Sequence, residues 1–365
     1  MRKTLFGLAM FVAGTGLASA QSPYAPASPT SPAPAPYADG AGNPAATVIQ
    51  GGGSCNGCNQ PQQCCTWKVH GWTGADYLMF FPQSQPGPAV IASTPAGATV
   101  IGGSTGYGVG SGLRIELGLW MNSEDSMGTQ TIFDTIFRKT ITQTAAGPIV
   151  LNSTTVGPIP GVTGLTETTW VQWNSVDGNS LVRLGNGDST RLYGIFGTKV
   201  ANLIEDVNFA YTIPAAGGAG FVEDFQSRNT FLGGQIGAMI THTMGRVDMD
   251  ATATCALGAN FLNTTILGAN NAGLGLQAFT TGGTVAVPGN IGFFERTVFS
   301  VIPSLRGNIS YRLSDRLSVR AGYTFEAFTN VQRPGSQIVG VPATFPNSTE
   351  TYYIHGANFG ATLKY

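Results

Sequence analysis

Charge is what this chain has least of. Charged residues make up 10% of its 365 positions, against about 25% in ordinary soluble domains. The formal net charge is -1, so there is no basic face for nucleic acid and no strong field to steer a charged partner. Histidine is rarer still: His70, His242 and His355 are the three. None stands beside a serine on an inward strand face, so the paired nucleophile and base of a hydrolase are missing and the chain is not expected to be an enzyme. Long apolar runs are missing as well. The run at residues 5–18 falls short of the roughly 20 residues that a membrane-crossing helix requires. The glycines from Gly106 to Gly112 have neither the spacing of a phosphate-binding loop nor a Lys-Ser/Thr after them, and a strand follows in place of a helix.

Glycine is plentiful, at 51 residues, as a turn-rich all-β protein requires. Residues 1–20 read as a signal peptide: Arg2 and Lys3, an apolar stretch, then Ala18-Ser19-Ala20 as a cleavage site. No cysteine follows that site to take a lipid anchor. Residues 21–53 form a Pro/Gly-rich linker with too little apolar surface to fold. Residues 54–71 carry Cys55, Cys58, Cys64 and Cys65. In an exported, oxidising compartment two disulfides are expected, with three pairings open. A link to another chain stays open, as does zinc, although a second CxxC is lacking and His70 is the sole nearby imidazole. No metal or cofactor is expected.

From residue 72 onward the sequence alternates with a period of two. At 112–121, Leu113, Ile115, Leu117, Leu119 and Met121 oppose Arg114 and Glu116; at 247–258, Val247, Met249, Cys255 and Leu257 oppose Asp248 and Asp250. At 299–311, Leu305, Ile309 and Tyr311 oppose Ser304, Arg306 and Asn308; at 317–328, Val319, Tyr323 and Phe325 oppose Arg320 and Glu326. The last eight residues put Phe359, Ala361, Leu363 and Tyr365 on one face and Asn358, Gly360, Thr362 and Lys364 on the other. These segments reach the roughly 9–11 residues of a transmembrane strand, whereas globular strands average about 5–6. Short turns at 122–125, 186–187, 244–246 and 313–316 alternate with long stretches at 83–110, 139–168, 204–227, 260–296 and 330–352, the asymmetry of an outer-membrane barrel with its short turns in the periplasm. Asn186-Gly187 is expected to turn with φ > 0, and Pro303 to mark a bulge or a strand end. The expected fold is all-β: a transmembrane antiparallel β-barrel over 72–365, of ten strands within a range of eight to twelve. A secreted sandwich is the alternative.

Several segments resemble a known family. They are Gly74-Ala75-Asp76-Tyr77-Leu78, the strand from Gly112 to Trp120, Arg228 to Gly237, Gly289-Asn290-Ile291-Gly292, Asn330-Val331-Gln332-Arg333-Pro334-Gly335 and Gly356-Ala357-Asn358-Phe359-Gly360. In these the chain is similar to the putative beta-barrel porin seven family of exported proteins, described mainly from planctomycete bacteria. The resemblance implies a barrel in the bacterial outer membrane and carries neither a substrate nor catalytic residues.

The candidate site is the set of inward charges: Arg114, Glu116, Asp248, Asp250, Arg306, Arg320 and Glu326. Inside a barrel these can stay hydrated or pair, for example Glu326 with Arg306 or Lys364, and a constriction lined by them would filter ions. The leading expectation is porin-like passive passage of small hydrophilic solutes. The alternative is a non-conducting structural or surface-display barrel. Expected partners are outer-membrane lipid and the barrel-assembly machinery, with Phe359, Leu363 and Tyr365 as the C-terminal assembly signal. A homo-oligomer remains open, and no nucleic acid is expected.

Overall fold

Alternation on this scale resolves into ten long antiparallel strands. The computed structural model describes residues 70–365 apart from 90, 154–156, 272–279, 288, 339–344 and 346. The expected signal peptide and linker, and the four clustered cysteines, lie outside the described residues. The strands are β1 (His70–Pro82), β2 (Gly110–Trp120), β3 (Met127–Ala145), β4 (Gly157–Asn186), β5 (Thr190–Ile213), β6 (Ala219–Met244), β7 (Val247–Asn270), β8 (Gly292–Arg312), β9 (Leu317–Val331) and β10 (Glu350–Lys364). Each pairs with its neighbours in sequence, and β1 also pairs with β10, so the sheet closes and leaves no barrel edge. Short strands at Ala92–Ser93, Thr99–Ile101 and Ile149–Ser153 add a small flap to β4.

The two faces separate as the period requires. Outward side chains form an exposed apolar belt: Leu192, Phe196 and Val200 on β5, and Leu232, Ile236, Ile240 and Met244 on β6. Phe196, Ile236 and Cys255 are register partners in the middle of that belt. Above it the outward face turns polar, with Asn202, Asp206 and Asn208 on β5 and Thr230, Arg228 and Gln226 on β6. Phe359 and Leu363 face outward and are exposed, and Tyr365 is exposed at the turn-end rim, where it borders the interior cavity. Cys255 is a free thiol on the belt.

The expected loops at 139–168 and 204–227 are largely strand, and both ends of the one at 260–296 are strand as well. β5 and β6 run past the belt and meet at a 3-10 turn, Pro214–Ala216, which Gly217 and Gly218 end with φ of 71° and 78°. Sequence pattern missed this because the outward positions there, Val222 apart, are polar or small, while the inward ones (Val207, Phe209, Tyr211, Phe221, Phe225) keep alternating and are buried. The expected hairpin after β4 is present, closed by Gly187 N–H to the Thr190 carbonyl. Neither Asn186 nor Gly187 adopts a positive φ, so the expected turn type is corrected; Gly245, at φ 58°, does use it between β6 and β7.

Pro303 sits inside β8, paired with Cys255 of β7. The ladder from β8 to β9 stops one residue away, at Ser304 and Glu326. Proline has no N–H to give that ladder. Beyond it, side chains take over: Thr329 Oγ1 accepts from Val301 N–H at 2.8 Å and Asn330 Nδ2 donates to the Phe299 carbonyl at 2.8 Å. Asn330 itself turns at φ 53°, and the chain leaves the wall for the barrel interior.

The wall is uneven in height. β1, β2, β9 and β10 have 11 to 15 residues, whereas β3 to β8 have 19 to 30. Connections from the low side, and the one between β7 and β8, fold against the inner face of the high side. Ile91, Ala92 and Ile101, together with Val285, Ala286 and Ile338, join Val162, Leu165, Phe209, Phe225 and Ile266 in one buried core above the belt. The loop end is capped.

Candidate functional site

The barrel interior is the site, and it is stratified. At the turn end an open cavity of about 310 Å³ is walled by Trp72, Trp120 and Tyr193 on one side and by Asp250, Arg306 and Asn308 on the other. Glycines seat the rings: a Cβ on Gly118 would stand 2.0 Å from the Trp72 ring, and one on Gly128 2.6 Å from that of Trp120.

Above this vestibule lies a layer of ion pairs. Arg114 of β2 grips Asp134 of β3 through two hydrogen bonds of 2.7 Å and donates to Thr324 Oγ1 of β9 at 3.2 Å. Arg320 of β9 reaches Asp76 at 2.7 Å and Glu116 at 2.8 Å. Glu116 also accepts from Trp72 Nε1 at 2.9 Å and Gln130 Nε2 at 2.8 Å. Lys199 of β5 lies 3.0 Å from Asp177 and 3.1 Å from Glu326. Arg114, Lys199 and Glu326 are buried, and these pairs tie strands across the lumen as well as along the wall. A pocket of about 20 Å³, roughly one water, remains between Arg114, Asp134, Asp177, Arg306 and Glu326.

Five of the seven sequence-derived charges therefore bound this layer or touch it: Arg114, Glu116, Arg306, Arg320 and Glu326. Asp250 is beside it, accepting from Asn308 Nδ2 at 2.8 Å. Asp248 is not in it. It sits at the turn-end rim with Thr243 at 2.8 Å, Arg312 at 3.3 Å and Lys364 at 4.0 Å. The suggested pairings of Glu326 are corrected: its ion-pair partner is Lys199, and Lys364 faces Asp248. Asp76, Asp134, Asp177 and Lys199 were missed. Asp134 and Asp177 lie on β3 and β4, whose outward positions are threonine, glutamine and asparagine as often as apolar residues, so alternation did not single out an inward face. Asp76 is register partner to Arg114, a relation that emerges only once β1 is aligned on β2.

Over the ion pairs comes an apolar layer of Leu78, Trp173, Leu203, Phe231, Phe328 and Tyr352. The chain after β9 then crosses the interior. Gln332 and Asn229 exchange amide hydrogen bonds with each other's backbone or side chain at 2.7 and 2.8 Å, and Thr264 Oγ1 donates to Gln332 Oε1 at 2.8 Å. Arg333, fully buried, pairs with Glu205 at 2.6 Å and donates to the Ser84 carbonyl at 2.9 Å. Gly335 packs so closely that a Cβ would stand 1.6 Å from the Pro86 carbonyl oxygen. A second connection is held by Glu223, whose carboxylate accepts from the backbone N–H groups of Thr284, Val285 and Ala286 at 2.7, 2.8 and 2.5 Å. Two of the segments that resemble the porin family, 289–292 and 330–335, are thus at or next to these pinning points.

On the outward side above the belt, Asp206 faces Asp224. Burial, and then the charge of Asp224, push Asp206 up to about 8. Arg138 stacks over the Trp170 ring at 3.8 Å nearby. Among the described residues no three His, Cys, Asp or Glu side chains group as a metal site.

The sequence of residues 173–365 matches the family described as Putative beta barrel porin-7. Among curated proteins none matches. Among solved structures the chain is similar to the outer membrane protease OmpT from Escherichia coli, at 11% identity and a TM-score of 0.50, covering 82% of this chain and 98% of that one. It also aligns with a Pseudomonas aeruginosa FadL homologue at 10% identity, covering 81% and 90%, with a TM-score of 0.20 that supports no argument. At these identities the likeness to OmpT is one of fold.

Proposed function

The chain belongs to the Putative beta barrel porin-7 family, and from that premise we propose that it serves as a closed outer-membrane barrel, a non-conducting scaffold with a capped loop end. The observation that carries this reading is the ion-pair layer, in which Arg114, Lys199 and Arg320 pair with carboxylates across the lumen and the pocket between Arg114, Asp134 and Glu326 holds about 20 Å³. Capped connections pinned by Arg333 and Glu223 support it from above. Outer-membrane lipid would surround the belt, and the barrel-assembly machinery would read the last strand through Phe359, Leu363 and Tyr365. Export would use the signal peptide.

Passive passage of small hydrophilic solutes is the second reading, favoured by the open vestibule of about 310 Å³. It requires the ion pairs and the crossing segment to move aside. The proteolysis named for the Escherichia coli barrel is not carried over. His70 bonds Asp125, His242 bonds Thr190, and His355 bonds Tyr323 on the exposed outer face, so the capped loop end has no imidazole base.

Purified protein in a planar lipid bilayer distinguishes the readings. The wild type is expected to stay electrically silent. Discrete steps in the wild type would overturn the closed reading.

A further inference from the structure

The turn-end vestibule is more than a blind end. One wall is a run of three rings: Trp72 and Trp120 have centroids 5.2 Å apart, and Trp120 and Tyr193 5.3 Å. Glycines at 118 and 128 make room for them on the barrel wall, so the rings line the cavity without filling it. The opposite wall holds a carboxylate and a guanidinium that do not bond each other. Asp250 has Asn308 as its hydrogen-bond partner, and Arg306, which lines both the vestibule and the smaller pocket above it, has no ion-pair partner within 4.0 Å among the described residues. Every other cation lining the cavity has a carboxylate within 4.0 Å: Arg191 has Asp125, Arg320 has Glu116, and Lys364 has Asp248.

We propose that this vestibule binds a neutral saccharide of one or two rings. A sugar hydroxyl both donates and accepts, so adjacent hydroxyls can give a hydrogen to Asp250 and take one from Arg306, with Asn308 between them. The axial C–H face of a pyranose is apolar and would lie against the indole and phenol rings. A carboxylate ligand would satisfy Arg306 but would meet Asp250, and an organic cation the reverse. The cavity is at the small end of ligand sites, which span roughly 300–1,000 Å³. This site does not depend on whether the barrel conducts, because the vestibule opens at the turn end below the ion-pair layer.

Isothermal titration of the full-length barrel in detergent with maltose, acetate and tetramethylammonium tests the proposal. Saturable heat is expected with maltose alone. Arg306→Met should weaken it about tenfold, equal to about 1.4 kcal/mol, and Trp120→Leu should weaken it as well. Arg306→Met heat-modifiability on a gel checks that the variant still folds. Equal binding of acetate or tetramethylammonium, unchanged maltose binding by Arg306→Met, or no heat with maltose would each overturn it. Bilayer silence or conductance, which tests the closed barrel, leaves this result unaffected.

Discussion

Lys199 shows how much a single inward residue can hold. Its ammonium stands between Asp177 and Glu326 at 3.0 and 3.1 Å, with 1% of the side chain exposed. Removing one member of a buried ion pair costs about 3–5 kcal/mol because the partner is left charged and uncompensated. Lys199→Met is therefore expected to lower stability by about that much in urea unfolding of the lipid-folded barrel. Adding Asp177→Asn and Glu326→Gln should restore most of it. Arg306→Met, which breaks no ion pair, should cost less than about 1 kcal/mol. The inward charges on β2, β8 and β9 were legible because their strands alternate apolar against polar. Lys199 was not, because Gly197 and Thr198 just before it hide the alternation, and Glu326, one of its partners, is distant in sequence.

At the scale of elements, the segment crossing the interior decides whether the barrel is open or shut. Sequence composition placed residues 330–352 in a surface loop, since a Gly- and Pro-containing stretch carries no period. What it could not convey is that Arg333 finds a buried carboxylate on β5 and Gln332 an amide on β6. Gly335 is the tightest point of that crossing. Gly335→Ala would drive a methyl into the Pro86 carbonyl, so the segment should lift. Amide hydrogen exchange at residues 330–338 is expected to rise at least severalfold, with the β1 and β10 amides unchanged.

The outward ledge of β5 and β6 gives a pH-dependent counterpart. Asp206 is raised from its ordinary value of about 4 to about 8 by burial and by Asp224. The folded state then holds this proton more tightly than the unfolded one. Its stabilising contribution is complete below about pH 4, falls as pH rises, and is gone above about pH 8. Hydrogen exchange at residues 201–213, corrected for the intrinsic rate, should show stronger protection at pH 5 than at pH 9. Asp206→Asn should remove the difference.

For the whole molecule, fold class, strand number and direction were all written in the period-two pattern and the spacing of short turns. Barrel height was not, since the strands that rise above the belt exchange apolar outward residues for polar ones and so resemble loops in composition. That exchange defines where lipid ends. Phe196 lies mid-belt, with Ile236 as its register partner and Cys255 next in the row, whereas Asn208 faces outward six outward positions further up β5 from the same face. An arginine on the lipid face costs about 2–4 kcal/mol at the bilayer midplane and falls to about 0–1 near the interface. Phe196→Arg should therefore destabilise the barrel in lipid vesicles by about 2–4 kcal/mol, and Asn208→Arg by less than about 1 kcal/mol. A barrel that stood in water would show two small and similar losses, because an exposed arginine on either side chain row would be hydrated. The difference between these two variants thus measures directly whether the apolar belt meets hydrocarbon.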